Sequence, residues 1–201
     1  MFTIKANKSA VRVTPKEGEY LARALLFAAL TGMGALIRIP LSPVPVTMQV
    51  FFVLLSGILL GPFWGPVSQL MYLVMGLCGA PFFAAPPHAG PAVLLGPTGG
   101  YLWGFVVASG LVGWIGNSLK VRRGAWKGRG IVVLLYANAA GIASIYILGT
   151  TWLGAWLAMR GRDAFLAYEL GVKPFIMIDV LKGIAAAGLG ARPLTRMWRR
   201  P

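Results

Sequence analysis

Residues 46–80 read VTMQVFFVLLSGILLGPFWGPVSQLMYLVMGLCGA. No formal charge interrupts the stretch. It divides into two apolar runs, 46–61 and 64–80, around Gly61-Pro62-Phe63-Trp64-Gly65-Pro66. Glycine and proline at this density mark a tight turn, with no room for a soluble loop between the runs. Two apolar segments joined so closely predict a pair of helices that fold back on each other. With no polar face on either, lipid is their expected surroundings.

The surrounding chain agrees. Residues 39–119 contain no Asp, Glu, Lys or Arg. The whole chain of 201 residues is 57% hydrophobic and 12% charged, against about 25% charged in a soluble domain. Its mean hydropathy is +0.73. A membrane helix needs about 20 mostly apolar residues, and six candidates fit, near 20–38, 46–61, 64–80, 98–119, 130–158 and 174–191. The expected fold is an all-α integral membrane protein, a six-helix transmembrane domain over 20–191. A polar N-terminal tail (1–19) and a basic C-terminal tail (192–201) flank it.

Six spans put both termini on one side, and the cations say which. Lys5, Lys8, Arg12, Lys16 and Arg23 lie at the start, Lys120, Arg122, Arg123, Lys127 and Arg129 between the fourth and fifth spans, and Arg192, Arg196, Arg199 and Arg200 at the end. The other side holds Arg38, Arg160, Arg162 and Lys173. By the positive-inside rule the termini are cytoplasmic, and the tail before residue 20 shows no cleavable signal pattern. The formal net charge of +14 therefore reflects topology, because a nucleic-acid binder would spread its cations over a folded surface. One Cys (Cys78) and one His (His88) leave no basis for a disulfide or a His/Cys metal site. The phosphate-binding GxxxxGK[ST], HExxH and GxSxG patterns are absent from the sequence, so an enzyme reading has little to stand on.

Polar chemistry concentrates in three places. Asp179 and Lys182 lie three residues apart in the sixth span, on one helix face and within reach of each other. Each costs about 2.5–3.5 kcal/mol at mid-membrane, and such residues usually face a cavity or a partner; a self-neutralising packing pair is the alternative. The first connection, Ile39-Pro40-Leu41-Ser42-Pro43-Val44-Pro45-Val46-Thr47, must be extended because each proline disfavours helix at and before its position. It is too apolar for a solvated loop, and so reads as a lid over an outward-facing pocket. Arg38 before it, and Thr47 and Gln49 at its end, are candidate polar groups there. The connection 81–97 carries His88 and closes on Gly96-Pro97-Thr98-Gly99-Gly100-Tyr101. Gly99 and Gly100 open backbone N–H groups to a ligand, and Tyr101 offers a ring and a hydroxyl. Small residues recur four apart at Ala24/Ala28, Gly57/Gly61 and Gly100/Gly104, which permits close helix approach. The segment 160–173 reads as either a short amphipathic surface element or a plain loop.

IPLSPVPVTMQ (39–49), GILLGP (57–62), LGPTGGYLWGF (95–105) and DVLK (179–182) together resemble the BioY family, biotin-specific substrate-binding subunits of energy-coupling-factor (ECF) vitamin transporters. The resemblance runs from about 20 to 190, in order and spacing. It implies a six-helix bundle with cytoplasmic termini in the bacterial cytoplasmic membrane, and a biotin site near the outer face beneath the 1–2 and 3–4 connections. It implies that Asp179 and Lys182 belong to that site; the chemistry of biotin then leads us to expect Asp179 to accept from a ureido N–H and Lys182 to donate to the ureido carbonyl while neutralising Asp179. It also implies that Ala24 and Ala28 contact a transmembrane coupling protein. Two cytoplasmic ATPase subunits would bind ATP and Mg, with no cofactor in this chain. Two departures stand out: Ala84-Ala85-Pro86-Pro87-His88 where the family has a glycine-rich loop, and Met177-Ile178 where it has Pro-Gly. Two other functions remain open, a subunit for a different vitamin and a solitary facilitator.

Overall fold

A computed structural model of the chain describes residues 15–119 and 129–191. Within them the fold is all-helical apart from one two-residue ladder. Helix α1 runs Pro15–Leu36, with Glu17 in its first turn, where negative charge complements the helix dipole. Ala24, Phe27, Ala28, Thr31 and Ala35 are buried along one stripe of α1, while Leu21, Leu25, Leu26, Met33 and Leu36 are exposed on the rest. An exposed face this apolar suits lipid.

The 1–2 connection is extended, as its prolines require. Strands β1 (Arg38–Ile39) and β2 (Val46–Thr47) pair antiparallel, Arg38 opposite Thr47 and Ile39 opposite Val46. The turn between them is thereby pinned as a flap, and the Met48 amide donates to the carbonyls of Gly34 and Ile37 at the end of α1, both at 3.1 Å.

Helix α2 spans Gln49–Leu77 but reverses inside, at Gly61, whose φ of 87° and ψ of −169° are non-helical. That conformation excludes an ordinary side chain, and Pro62 beside it removes an amide that a continuing helix would need. The two arms lie antiparallel. Gln49 Nε2 donates to the Tyr72 hydroxyl at 2.6 Å, and Gln69 Nε2 to Ser56 Oγ at 3.1 Å, contacts a straight helix could not make at 1.5 Å rise per residue. The hairpin expected around residues 61–66 is present.

Four further helices complete the described fold after the short α3 (Ala92–Leu95). These are α4 (Gly99–Ser118), α5 (Arg129–Ala158), α6 (Leu166–Gly171) and α7 (Ile176–Ala191). Helix α4 packs between α2 and α5, and α7 closes against α5 and α2, tied by Asn138 Nδ2 donating to the Gly183 carbonyl at 2.7 Å. Among the described residues four helices are long and apolar enough to cross a membrane, Glu17–Leu36, Gln49–Leu77, Gly99–Ser118 and Gly130–Ala158. The second and third expected spans are the two arms of α2, and α7 has 16 residues. Residues 1–14, 120–128 and 192–201, which hold most of the cations used to orient the chain, lie outside the described residues.

Candidate functional site

Elements distant in sequence meet near one end of the bundle. Val44, Pro45 and Thr47 descend from the flap, Gln49 and Val50 begin α2, and Ala84 and Ala85 come from the loop after it. Tyr101, Leu102 and Phe105 face them from α4, Ile145 and Tyr146 from α5, and Gly171, Phe175 and Asp179 from the last third of the chain. Between these residues lies about 570 Å³ of atom-free space, counting its open mouth. The wall is mostly aliphatic and aromatic, with few polar atoms, as expected of a small-molecule site.

The one carboxylate among these lining residues is Asp179. It is 5% exposed, and a buried charge must be compensated. Lys182 Nζ donates to Oδ1 at 2.6 Å, and the Tyr146 hydroxyl donates to Oδ2 at 2.7 Å. Both oxygens thus hold a partner, one cationic and one neutral. Lys182 is itself 7% exposed and is not among the lining residues; it sits beside Asp179 as the counter-ion, one turn further along α7.

Thr47 and Gln49 form a second polar strip. Thr47 Oγ1 donates to Gln49 Oε1 at 3.1 Å, Gln49 Nε2 to the Tyr72 hydroxyl, and Tyr72 to the Phe82 carbonyl at 3.3 Å. This relay ties the flap, both arms of α2 and the 81–91 loop together. Tyr101 presents its ring to the cavity, while its hydroxyl donates to the Gly171 carbonyl at 2.9 Å. That bond holds the α6 end as a cover.

Arg38 and His88 lie in an adjoining outer cavity, with Pro40, Leu41, Ser42 and Pro43. The two cavities share Pro45, Ala84 and Ala85 as a partition. Arg38 NH1 donates to the Ala84 carbonyl at 2.9 Å, so the flap is clasped to the 81–91 loop. His88 Nδ1 is 3.1 Å from Arg38 NH1 and 3.0 Å from the Phe83 carbonyl. A bare Nδ1 accepts from the arginine; a protonated one donates to the carbonyl.

Two expectations are redistributed by this geometry, and one residue is added. Gly99 and Gly100 do not line the cavity. A Cβ on Gly99 would collide with the Leu94 carbonyl of α3, and one on Gly100 with Trp152 and the Leu148 carbonyl of α5, so Gly99 serves the α3–α4 turn and Gly100 the α4–α5 contact. Trp152 Nε1 also donates to the Gly96 carbonyl at the end of α3, at 2.8 Å. Ala24 and Ala28 are fully buried, on the stripe of α1 that faces its own fold. Tyr146 is the added residue: a lone tyrosine in an apolar span carries no charge to mark it, and its signal is a phenol at mid-helix, which needs a partner when buried.

The model of the BioY family matches residues 7–200. The chain belongs to the BioY family. A protein of Pyrococcus horikoshii described as a probable biotin transporter BioY is 39% identical over 83% of this chain and 91% of its own length. The biotin transporter BioY of Thermotoga maritima is 38% identical over 86% of this chain and 94% of its own. Among solved structures, the S-component for biotin from an ECF-type ABC transporter superposes with a TM-score of 0.73 at 24% identity, covering 88% of this chain and 91% of that one. At that identity the superposition speaks for the fold. The family assignment rests on the sequence matches.

Proposed function

We propose that this chain captures biotin at the outer face of the bacterial cytoplasmic membrane and serves as the substrate-specific subunit of an ECF-type transporter. The single observation that carries the reading is a compensated carboxylate, Asp179, set into an otherwise apolar cavity beneath a proline-rich flap in a chain of this family. Biotin has complementary parts. Its ureido ring offers N–H donors and a carbonyl, its thiophane ring is apolar, and its valerate ends in a carboxylate. Asp179 accepts from a ureido N–H, and Lys182 pairs with that carboxylate from beside the cavity. Tyr101, Val44 and Val46 cover the apolar ring, while Thr47 and Gln49 hold the wall in shape. Gly99 and Gly100 support the site through the close contacts of α4 with α3 and α5, and Arg38 and His88 wait at the mouth.

In this reading the chain crosses the membrane six times, each arm of α2 counting once, with both termini cytoplasmic. It is a transporter subunit and not an enzyme. ATP hydrolysis, with its Mg, falls to two separate cytoplasmic subunits, joined through a transmembrane coupling protein; because Ala24 and Ala28 are buried, that partner meets α1 on the exposed residues beside them, Leu21, Leu25 and Leu26. The deciding experiment is isothermal titration of the detergent-purified chain with biotin, thiamine and riboflavin. One-to-one binding of biotin alone is expected. A folded sample that ignores biotin overturns the reading and redirects it to another vitamin.

A further inference from the structure

Tyr146 has no part in the reading above, yet it is the residue that places a hydroxyl against the cavity face of Asp179. Its phenol carries one proton, and in this structure that proton is directed to Asp179 Oδ2. Oδ1 is held separately by Lys182. The site therefore presents, 2.7 Å apart, a carboxylate acceptor and a hydroxyl donor whose proton can be redirected by rotation about the C–O bond. A cyclic urea presents the converse on one edge: an N–H donor beside a carbonyl acceptor.

We propose that Tyr146 is a specificity-determining residue that reads the ureido carbonyl. On binding, a ring N–H takes the place of the phenol at Oδ2, and the phenol swings its proton to the carbonyl oxygen. One hydrogen bond is exchanged for two, every polar atom stays partnered, and the Lys182–Asp179 pair is undisturbed throughout. Assigning the carbonyl to Tyr146 leaves Lys182 as counter-ion only, consistent with its place away from the cavity wall. The site then selects a neutral edge with a donor and an acceptor side by side, because a ligand without the acceptor leaves the phenol competing with it for Oδ2.

This inference rests on biotin being the ligand. Its test compares biotin with 2-iminobiotin, which at neutral pH is a guanidinium that donates from every nitrogen and accepts at none. Titration of the wild-type chain with both, and of Tyr146→Phe with both, reads the role. The wild type is expected to prefer biotin. Tyr146→Phe is expected to weaken biotin by about tenfold to a hundredfold, the range for a buried polar group left without its partner. It should leave 2-iminobiotin within about threefold, so that the preference collapses. Equal weakening of both ligands would mean that Tyr146 only positions Asp179, and overturns the proposal; so does unchanged biotin affinity. Should the variant fail to fold, equal affinity of the wild type for the two ligands overturns it as well. A wild-type chain that binds no biotin is a failure of the functional reading itself, visible before any substitution is made.

Discussion

Gly57 and Gly65 meet across the reversal of α2: a Cβ on Gly65 would lie 3.2 Å from the Cα of Gly57. Gly57 is also pressed against α4, where a Cβ would stand 2.9 Å from the Cβ of Val112 and close to the Ser109 carbonyl. Three helical segments thus converge on two residues without side chains, which is the contact that lets the hairpin close. Gly57→Ala forces backbone apart and is expected to destabilise the fold by about 1–3 kcal/mol. Gly188→Ala, in α7 with nothing within 4 Å of its would-be Cβ, is expected to be neutral or stabilising by up to about 1 kcal/mol, since alanine is the better helix former. Thermal unfolding of both variants in one detergent checks the contrast.

The Asp179–Lys182 pair predicts an unequal set of variants. Removing either partner strands a charge in a buried place, at a cost of about 3–5 kcal/mol. Lys182→Met and Asp179→Asn should therefore each lower the unfolding temperature. The double variant Asp179→Asn/Lys182→Met should lie closer to wild type than the sum of the two, because no net charge stays buried. Biotin binding should not follow stability: the double variant is expected to fold and still lose binding, since Asp179 is the acceptor. A double variant that binds as wild type would remove Asp179 from the site.

These residues also show how far the sequence could be read. The hairpin was legible because proline and glycine act locally, and so was the extended flap; the Asp179–Lys182 contact was legible because three residues on a helix fix a neighbourhood. Tyr146 was not, since its partner is 33 positions away and a phenol leaves no mark on charge or hydropathy. Glycine was read only in part. Gly99 and Gly100 signal close approach to something, but sequence does not distinguish a ligand from Trp152. The β1–β2 ladder and α3 were likewise beyond local pattern, being two and four residues long and set by what they pack against.

Arg38 clasps the flap to the 81–91 loop from an exposed position, through a bond to the Ala84 carbonyl and a contact with His88 Nδ1. Such a bond contributes about 0.5–1.5 kcal/mol. Arg38→Gln should leave the unfolding temperature nearly unchanged, while speeding biotin release about two- to tenfold with little change in capture, as most affinity changes within one site are changes in release. Hydrogen exchange at Val46 and Thr47 should quicken in parallel. Slower release, or unaltered exchange at those amides, would show that the flap is held elsewhere.

The six-crossing arrangement is testable through the chain's single cysteine. Cys78 is exposed and caps the second arm of α2. If each arm of α2 crosses the membrane and the N-terminus is cytoplasmic, Cys78 lies outside, and Leu119, exposed at the end of α4, lies inside. A membrane-impermeant maleimide should then label Cys78 in intact cells. In a Cys78→Ser background, Leu119→Cys should be labelled only after permeabilisation. If α2 crossed only once, both results would reverse, because every element after Gly61 would change sides. Labelling of both positions in intact cells would fit neither arrangement, since α4 would then not cross at all.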